Sequence, residues 1–211
     1  MFALVDKSDN SITKMYSGNK GITIGDNQYP KAIFSLWTEA ERNAINIYEV
    51  TIDESKRKNE QWYINTNITY SFDGTNATGS YGDATAKAHA DTTWTQQQID
   101  DGDAPDGADT DTVATRGLKY KLIEIVKQDA ENELNKTDWY ITRKSEKDTA
   151  IPSAITTHRD AVRSKQASMC TAITNASDTP ALETLYTYVN TADEGDPVVM
   201  ERPIGKIPTL D

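Results

Sequence analysis

Apolar residues in the first ninety positions recur in short runs broken by turn formers. Phe2 to Val5 and Ile12 to Tyr16 flank Asp6 to Ser11, which predicts an N-terminal β-hairpin, and Ile22 to Ile24 adds a short strand. Thr38-Glu39-Ala40-Glu41 has the spacing of a capping box. With apolar Ile33, Phe34, Leu36 and Trp37 just before it, it predicts a helix over roughly 39–45. Ile47 to Ile52 and Gln61 to Phe72 are rich in aromatic and β-branched residues and read as strands, with charged Asp53 to Glu60 between them as a hairpin loop. Asp73-Gly74 marks a turn. Ala77 to Ala90 is rich in small residues and decides nothing.

From Val113 the period becomes helical. Leu118, Leu122, Val126, Ala130 and Leu134 fall at i+4 steps, broadened by Ile123 and Ile125, which predicts an amphipathic helix of about twenty residues. A short helix carrying Trp139, Tyr140 and Ile141 follows, and Pro152-Ser153 opens a third with Ile155, Val162, Met169 and Ile173 on one face, beside His158 and Gln166. Short connections make an antiparallel hairpin or small bundle the economical arrangement. Leu182, Leu185, Tyr186 and Val189 suggest a last short helix, after which Pro197, Pro203 and Pro208 mark an extended tail. The predicted fold class is therefore α+β. It has a β-rich part over 1–90, an acidic linker or loop over 91–112, a helical hairpin over 113–178, and a short helix with an extended arm over 179–211.

Charge sharpens that division. Among 211 residues, 22 Lys and Arg face 33 Asp and Glu, a formal net charge of −11, which disfavours nucleic acid and anionic membrane as main partners. Seven aspartates and no basic residue lie in Asp91 to Asp111, so the acidity mostly describes the linker. Counted against a calcium-binding EF-hand loop from Asp101, positions five, six and twelve hold Pro105, Asp106 and Thr112, so the template fails. The basic residues Arg116, Lys119, Lys121 and Lys127, and Arg159, Arg163 and Lys165, are interleaved with acids and read as solvated helix faces.

Candidate chemistry is sparse. The one cysteine, Cys170, excludes an intrachain disulfide and a zinc site built on several thiolates. His89 and His158 lack metal-ligand spacing and read as exposed or core-edge residues, and no nucleophile elbow, P-loop or dinucleotide fingerprint occurs. No apolar run is long enough to span a bilayer, and the first residues lack the features of a secretory signal. The sequons at Asn67, Asn76, Asn135 and Asn175 therefore carry no expectation of glycosylation. An enzyme, a metal or a cofactor is not expected.

The run Thr137-Asp138-Trp139-Tyr140-Ile141-Thr142-Arg143-Lys144-Ser145-Glu146, followed by Pro152 and then Arg159 and Arg163, can be read physically as the clasp of a helical hairpin. Thr137 or Asp138 would cap a helix, Trp139 would anchor it on the preceding long helix, Arg143 and Glu146 would face each other at i, i+3, and Pro152 would open the partner helix. The same run resembles a recurring module of tailed-bacteriophage tail fibre and tail assembly-type proteins, over roughly residues 113–167. His158 stands where that family often has Tyr. Tyr29-Pro30 with Trp37 to Glu41 gives a second, shorter likeness to phage tail modules, and none is seen for 179–211. The resemblance implies a structural component of a virion tail, baseplate or fibre attachment, homo-oligomeric, assembled in the host bacterial cytoplasm and working through contacts with other tail or fibre proteins. A fibre assembly chaperone that is not retained in the particle is the alternative. The arm favours the virion component, because Val198, Val199, Met200, Ile204, Ile207 and Leu210 among few charges suit lying along, or adding a strand to, a neighbouring subunit.

Overall fold

A computed structural model describes residues 1–210, which form two compact units, Met1–Thr85 and Ala86 onward. The chain is α+β, with the sheet in the first unit and the long helices in the second.

The first unit is built on strand β1 (Phe2–Asp6), which is buried on both faces. Its alternation sends Ala3 and Val5 into one core with Tyr48, Val50, Phe72 and Ala77. Phe2 and Leu4 go into a second core with Tyr16, Ile22, Ile33 and Ile47. The predicted hairpin is present: β1 pairs antiparallel with β2 (Ser11–Tyr16). A smaller hairpin joins β3 (Ile22–Ile24) to β4 (Asn27–Tyr29). Helix α1 (Glu39–Ala44) starts at the predicted capping box, in which the Thr38 N–H donates to the Glu41 carboxylate at 2.7 Å and the Glu41 N–H donates to the Thr38 hydroxyl at 3.3 Å. Arg42 ties α1 to β5 (Ile47–Asp53): it donates to the Trp37 carbonyl at 2.6 Å and to Glu49 at 3.2 Å, and lies over the Phe2 ring.

Beyond β5 the topology departs from the expected hairpin. Gln61 to Phe72 is not one strand but two short ones, β6 (Tyr63–Ile64) and β7 (Thr69–Phe72), and neither pairs with β5. The partner of β5 is β8 (Ala77–Ser80), which runs parallel to it and antiparallel to β7, giving the order β2-β1-β5-β8-β7. β8 lies in the small-residue stretch that carries no hydrophobic pattern. The smallness is what its place demands, because a Cβ on Gly79 would come within 3 Å of Tyr70, Ile52 and Ile68 side chains at once. The edge strands β2 and β7 approach each other, so the sheet curls around the Val5–Val50–Phe72 core. Strand β9 (Thr85–Ala86) lies outside this sheet.

In the second unit the aspartate-rich segment, expected as a linker or loop over 91–112, is a loop tied at its base. Strands β10 (Thr92–Thr93) and β11 (Val113–Thr115) pair at its base, and α2 (Gln96–Asp100) starts at a capping box between Thr95 and Gln98. The Asp91 carboxylate accepts from Arg116 at 2.6 Å and from the Gly117 N–H at 2.7 Å, closing the loop across 25 residues. Gly117 is required there, since a Cβ would collide with the Ala90 carbonyl. The boundary falls near residue 85, earlier than expected, because these partners belong to the helical unit.

Helices α3 (Leu118–Asn135), α4 (Asp138–Lys147), α5 (Ser153–Asn175) and α6 (Thr179–Tyr186) follow as predicted, except that Val189, expected on the last helical face, lies beyond it in a strand. α3 and α5 pack antiparallel. The Lys119 ammonium meets the Thr174 carbonyl at one end, and Arg159 meets the Leu134 carbonyl at the other, each at 2.8 Å. Their buried faces are Leu122, Val126 and Ala130 on α3 and Ile155, Val162, Met169 and Ile173 on α5. Ile125, expected to widen the stripe, is exposed; it falls outside the i+4 series that faces α5. Asp178 caps α6 by accepting from the Ala181 N–H, and Leu182 is fully buried. Strands β12 (Val189–Asn190) and β13 (Met200–Glu201) then pair as an antiparallel ribbon.

Gly79→Ala should destabilise the first unit by about 1–3 kcal/mol, the usual result of forcing a methyl group into filled space. Urea unfolding followed by intrinsic fluorescence checks this, and an unchanged midpoint would contradict the packing.

Candidate functional site

The predicted clasp region lies where α3 turns into α4. Helix ends leave carbonyls without intrahelical donors. Here the Leu134 carbonyl receives both the Thr137 hydroxyl at 3.0 Å and Arg159 Nη1 at 2.8 Å. The same Nη1 donates to the Thr137 hydroxyl at 2.6 Å and pairs with Asp138 at 2.8 Å. Arg159 and Thr137 are buried, so these charge-assisted bonds are shielded from water.

One turn back on α3, the Glu133 side chain is also buried, although the helical stripe gives it no special place. One carboxylate oxygen accepts from the Leu210 N–H at 2.7 Å and faces His158 Nε2 at 3.2 Å; the other accepts from the Lys136 ammonium. The Lys136 bond, the Leu210 N–H and the charges of Lys136 and His158 together hold the Glu133 carboxyl below its ordinary titration range, against the opposing effect of burial. Glu133, Lys136 and His158 were invisible as a group in the sequence, because the separation of 25 positions from Glu133 to His158 matches no motif.

The remaining predicted clasp residues divide. Thr137 and Asp138 are in the cluster but not as a side-chain cap: neither makes the capping bond, and both bind Arg159 instead. Pro152 does immediately precede α5. Trp139 is not the buried anchor expected of it. It is 51% exposed and lies against Tyr140, with ring centroids 3.7 Å apart. Arg143 lies over both of these rings and makes no pair with Glu146, which is exposed. Arg163 is also at the surface, 3.6 Å from Asp160.

The arm departs from expectation as well. It contains no helix, but it is not free. Ile204 is 3% exposed, and its N–H donates to the Leu185 carbonyl at 3.0 Å; Ile207 is half-buried, and Leu210 is held by Glu133 through its backbone. Apolar side chains placed next to the chain's own helices bury there. The ribbon stays open: Tyr188, Val189, Val198, Val199 and Met200 are each more than 40% exposed, and the Leu210 side chain, unlike its backbone, is also exposed. The ribbon is cross-tied by the Thr191 N–H to the Val199 carbonyl at 2.8 Å and by the Val199 N–H to the Asn190 side chain at 3.0 Å.

No family model, curated protein or solved structure matches the chain. The residues themselves must therefore carry any reading. Among the described residues, no three His, Cys, Asp or Glu side chains are grouped so that they could hold a metal ion. The Glu133–His158 pair has an acid and a base in contact, but Glu133 already serves three donors. That geometry joins α3, α5 and the last residues of the arm. It is a structural junction.

Arg159→Ala should lower stability by about 2–4 kcal/mol, since charge-assisted bonds to a buried carbonyl and hydroxyl disappear together. Trp139→Ala should change it by less than about 1 kcal/mol, as expected for an exposed side chain. Chemical denaturation of the two variants separates the roles, and the reverse order would restore Trp139 as the anchor.

Glu133 predicts a pH dependence. Its folded carboxyl titrates below the ordinary value of 4.5, so its contribution is complete above that value and disappears as pH falls through the lower folded value. Thermal melts of the protein and of Glu133→Gln should differ most at neutral pH and converge as pH falls below the ordinary carboxylate range. A constant gap across that range would show that the carboxylate charge is not involved.

Proposed function

We propose that the chain is a structural protein of a tailed-bacteriophage tail, baseplate or fibre attachment, acting through contacts with neighbouring tail proteins and not through chemistry. Its place is then the virion. The reading rests on the likeness of residues 137–163 to the phage module, and one observation carries it further. Five large apolar side chains stand exposed on a two-stranded ribbon whose base is buried and hydrogen-bonded. Apolar side chains gathered on one surface element favour association, and a ribbon with open edges offers backbone donors and acceptors to an added strand. The contact surface is thus narrower than the whole arm. Val198, Val199 and Met200 belong to it, whereas Ile204, Ile207 and Leu210 serve the chain's own fold.

Particles produced from the genome that encodes this chain should contain it at fixed stoichiometry to the other tail proteins by quantitative mass spectrometry. Presence in the lysate together with absence from purified particles would identify an assembly chaperone instead. The paired substitution Val198→Asp and Val199→Asp should leave stability within about 0.5 kcal/mol, because both side chains are exposed, yet remove the chain from the particles.

A further inference from the structure

Beside the ribbon, Lys165, Tyr188, Met200, Glu201, Arg202, Gly205 and Lys206 line an open groove of about 450 Å³. It contains three cations and one carboxylate in a chain whose net charge is −11. Among the described residues, none of Lys165, Arg202 and Lys206 has a carboxylate within ion-pair distance, whereas Arg42, Arg57, Arg116, Arg159 and Arg163 all do. Arg202 rests over the Tyr186 and Tyr188 rings, which hold its guanidinium in place but leave its charge unmatched.

The backbone is shaped around this concentration of charge. The Gly205 N–H donates to the Arg202 carbonyl at 2.8 Å in a tight turn. Gly205 has φ +72°, and a Cβ there would collide with the Lys165 ammonium. The positive φ favours glycine at the turn, and the end of the α5 lysine lies against it. Like charges gathered at a half-buried corner repel one another, so an anionic occupant would be bound with a gain that a lone surface lysine could not give.

The chain carries a surface of complementary sign. Asp100, Asp101, Asp103, Asp106, Asp109 and Asp111 stand on the loop closed by Asp91 and Arg116, with no basic residue among them. Asp103 and Asp106 make no side-chain hydrogen bond or ion pair among the described residues and are exposed. We propose that the Lys165–Arg202–Lys206 groove receives the aspartate loop of a second copy of this chain. Groove and loop are different surfaces, so the contact is head-to-tail and continues until it closes into a ring or extends as a filament. This inference does not depend on incorporation into a virion.

Sedimentation velocity of the full-length protein tests it. Association should rise with protein concentration at about 50 mM salt and weaken at least tenfold at about 500 mM, where exposed charges are screened. Lys165→Glu with Lys206→Glu, which spares the stacked Arg202, should give a monomer, as should Asp103→Lys with Asp106→Lys. An equimolar mixture of the two charge-reversed proteins should associate again. A monomer at every concentration in low salt, or association that survives both high salt and the two reversals, would overturn the proposal. The second outcome would place self-contact on the apolar ribbon. Neither result bears on whether the chain is found in particles, and absence from particles leaves this contact standing.

Discussion

Where α3 stops at Asn135, the Arg159 guanidinium of α5 adds a charge-assisted donor to the Leu134 carbonyl, which also receives the Thr137 N–H and hydroxyl, and it meets Thr137 and Asp138 as well. This contact sets the register of the two long helices. With Arg159 against Leu134, His158 comes to Glu133 at one end and Lys119 reaches Thr174 at the other. Glu133 in turn accepts from the Leu210 backbone, so the same junction draws in the end of the arm. A buried ion-pair network of this kind contributes less net stability than its bond count suggests, because each charge must be desolvated. Its value here is geometric, since a slip of one helical turn would strand Glu133 and Arg159 in an apolar interface without partners.

The first unit obeys a different constraint. Strand β1 is shared between two cores, so its successive side chains must satisfy opposite faces of one sheet. The strand of small residues, β8, lies between β5 and the edge strand β7, where its smallness allows Tyr70, Ile52 and Ile68 to close over Gly79.

Charge is organised on the same principle of local pairing. Most arginines meet a carboxylate, whereas the aspartate loop and the groove around Lys165, Arg202 and Lys206 each gather charge of one sign in the second unit. The apolar ribbon lies beside that groove and shares Tyr188 and Met200 with it. The ribbon and the groove are therefore gathered near the end of the chain, on a segment whose base is held by Ile204 and Glu133.

Local signals were legible without the fold. The capping box at Thr38, the N-terminal hairpin, the i+4 stripe of α3, the apolar face of α5 and the proline before it all depend on residues within a turn or two of one another, and they appear where the pattern puts them. Pairings between distant residues were not legible. A run of small residues looks the same in a loop and in a central strand until Tyr70 and Ile52 are known to press on it. An aspartate-rich stretch looks like a linker until Arg116 is found at its base. Trp139 looked like an anchor because large aromatic residues are usually buried, yet its ring is exposed. Residue order alone was enough to place the starts of most helices and of the early strands β1, β2, β3 and β5, and to pick out the apolar faces of the long helices. Folding in three dimensions settled which strand joins β5, that Arg159 and not Trp139 forms the clasp, and that most of the arm returns to its own helices. Helical and strand periods are properties of the local backbone, whereas burial and charge pairing depend on neighbours that the chain order does not name.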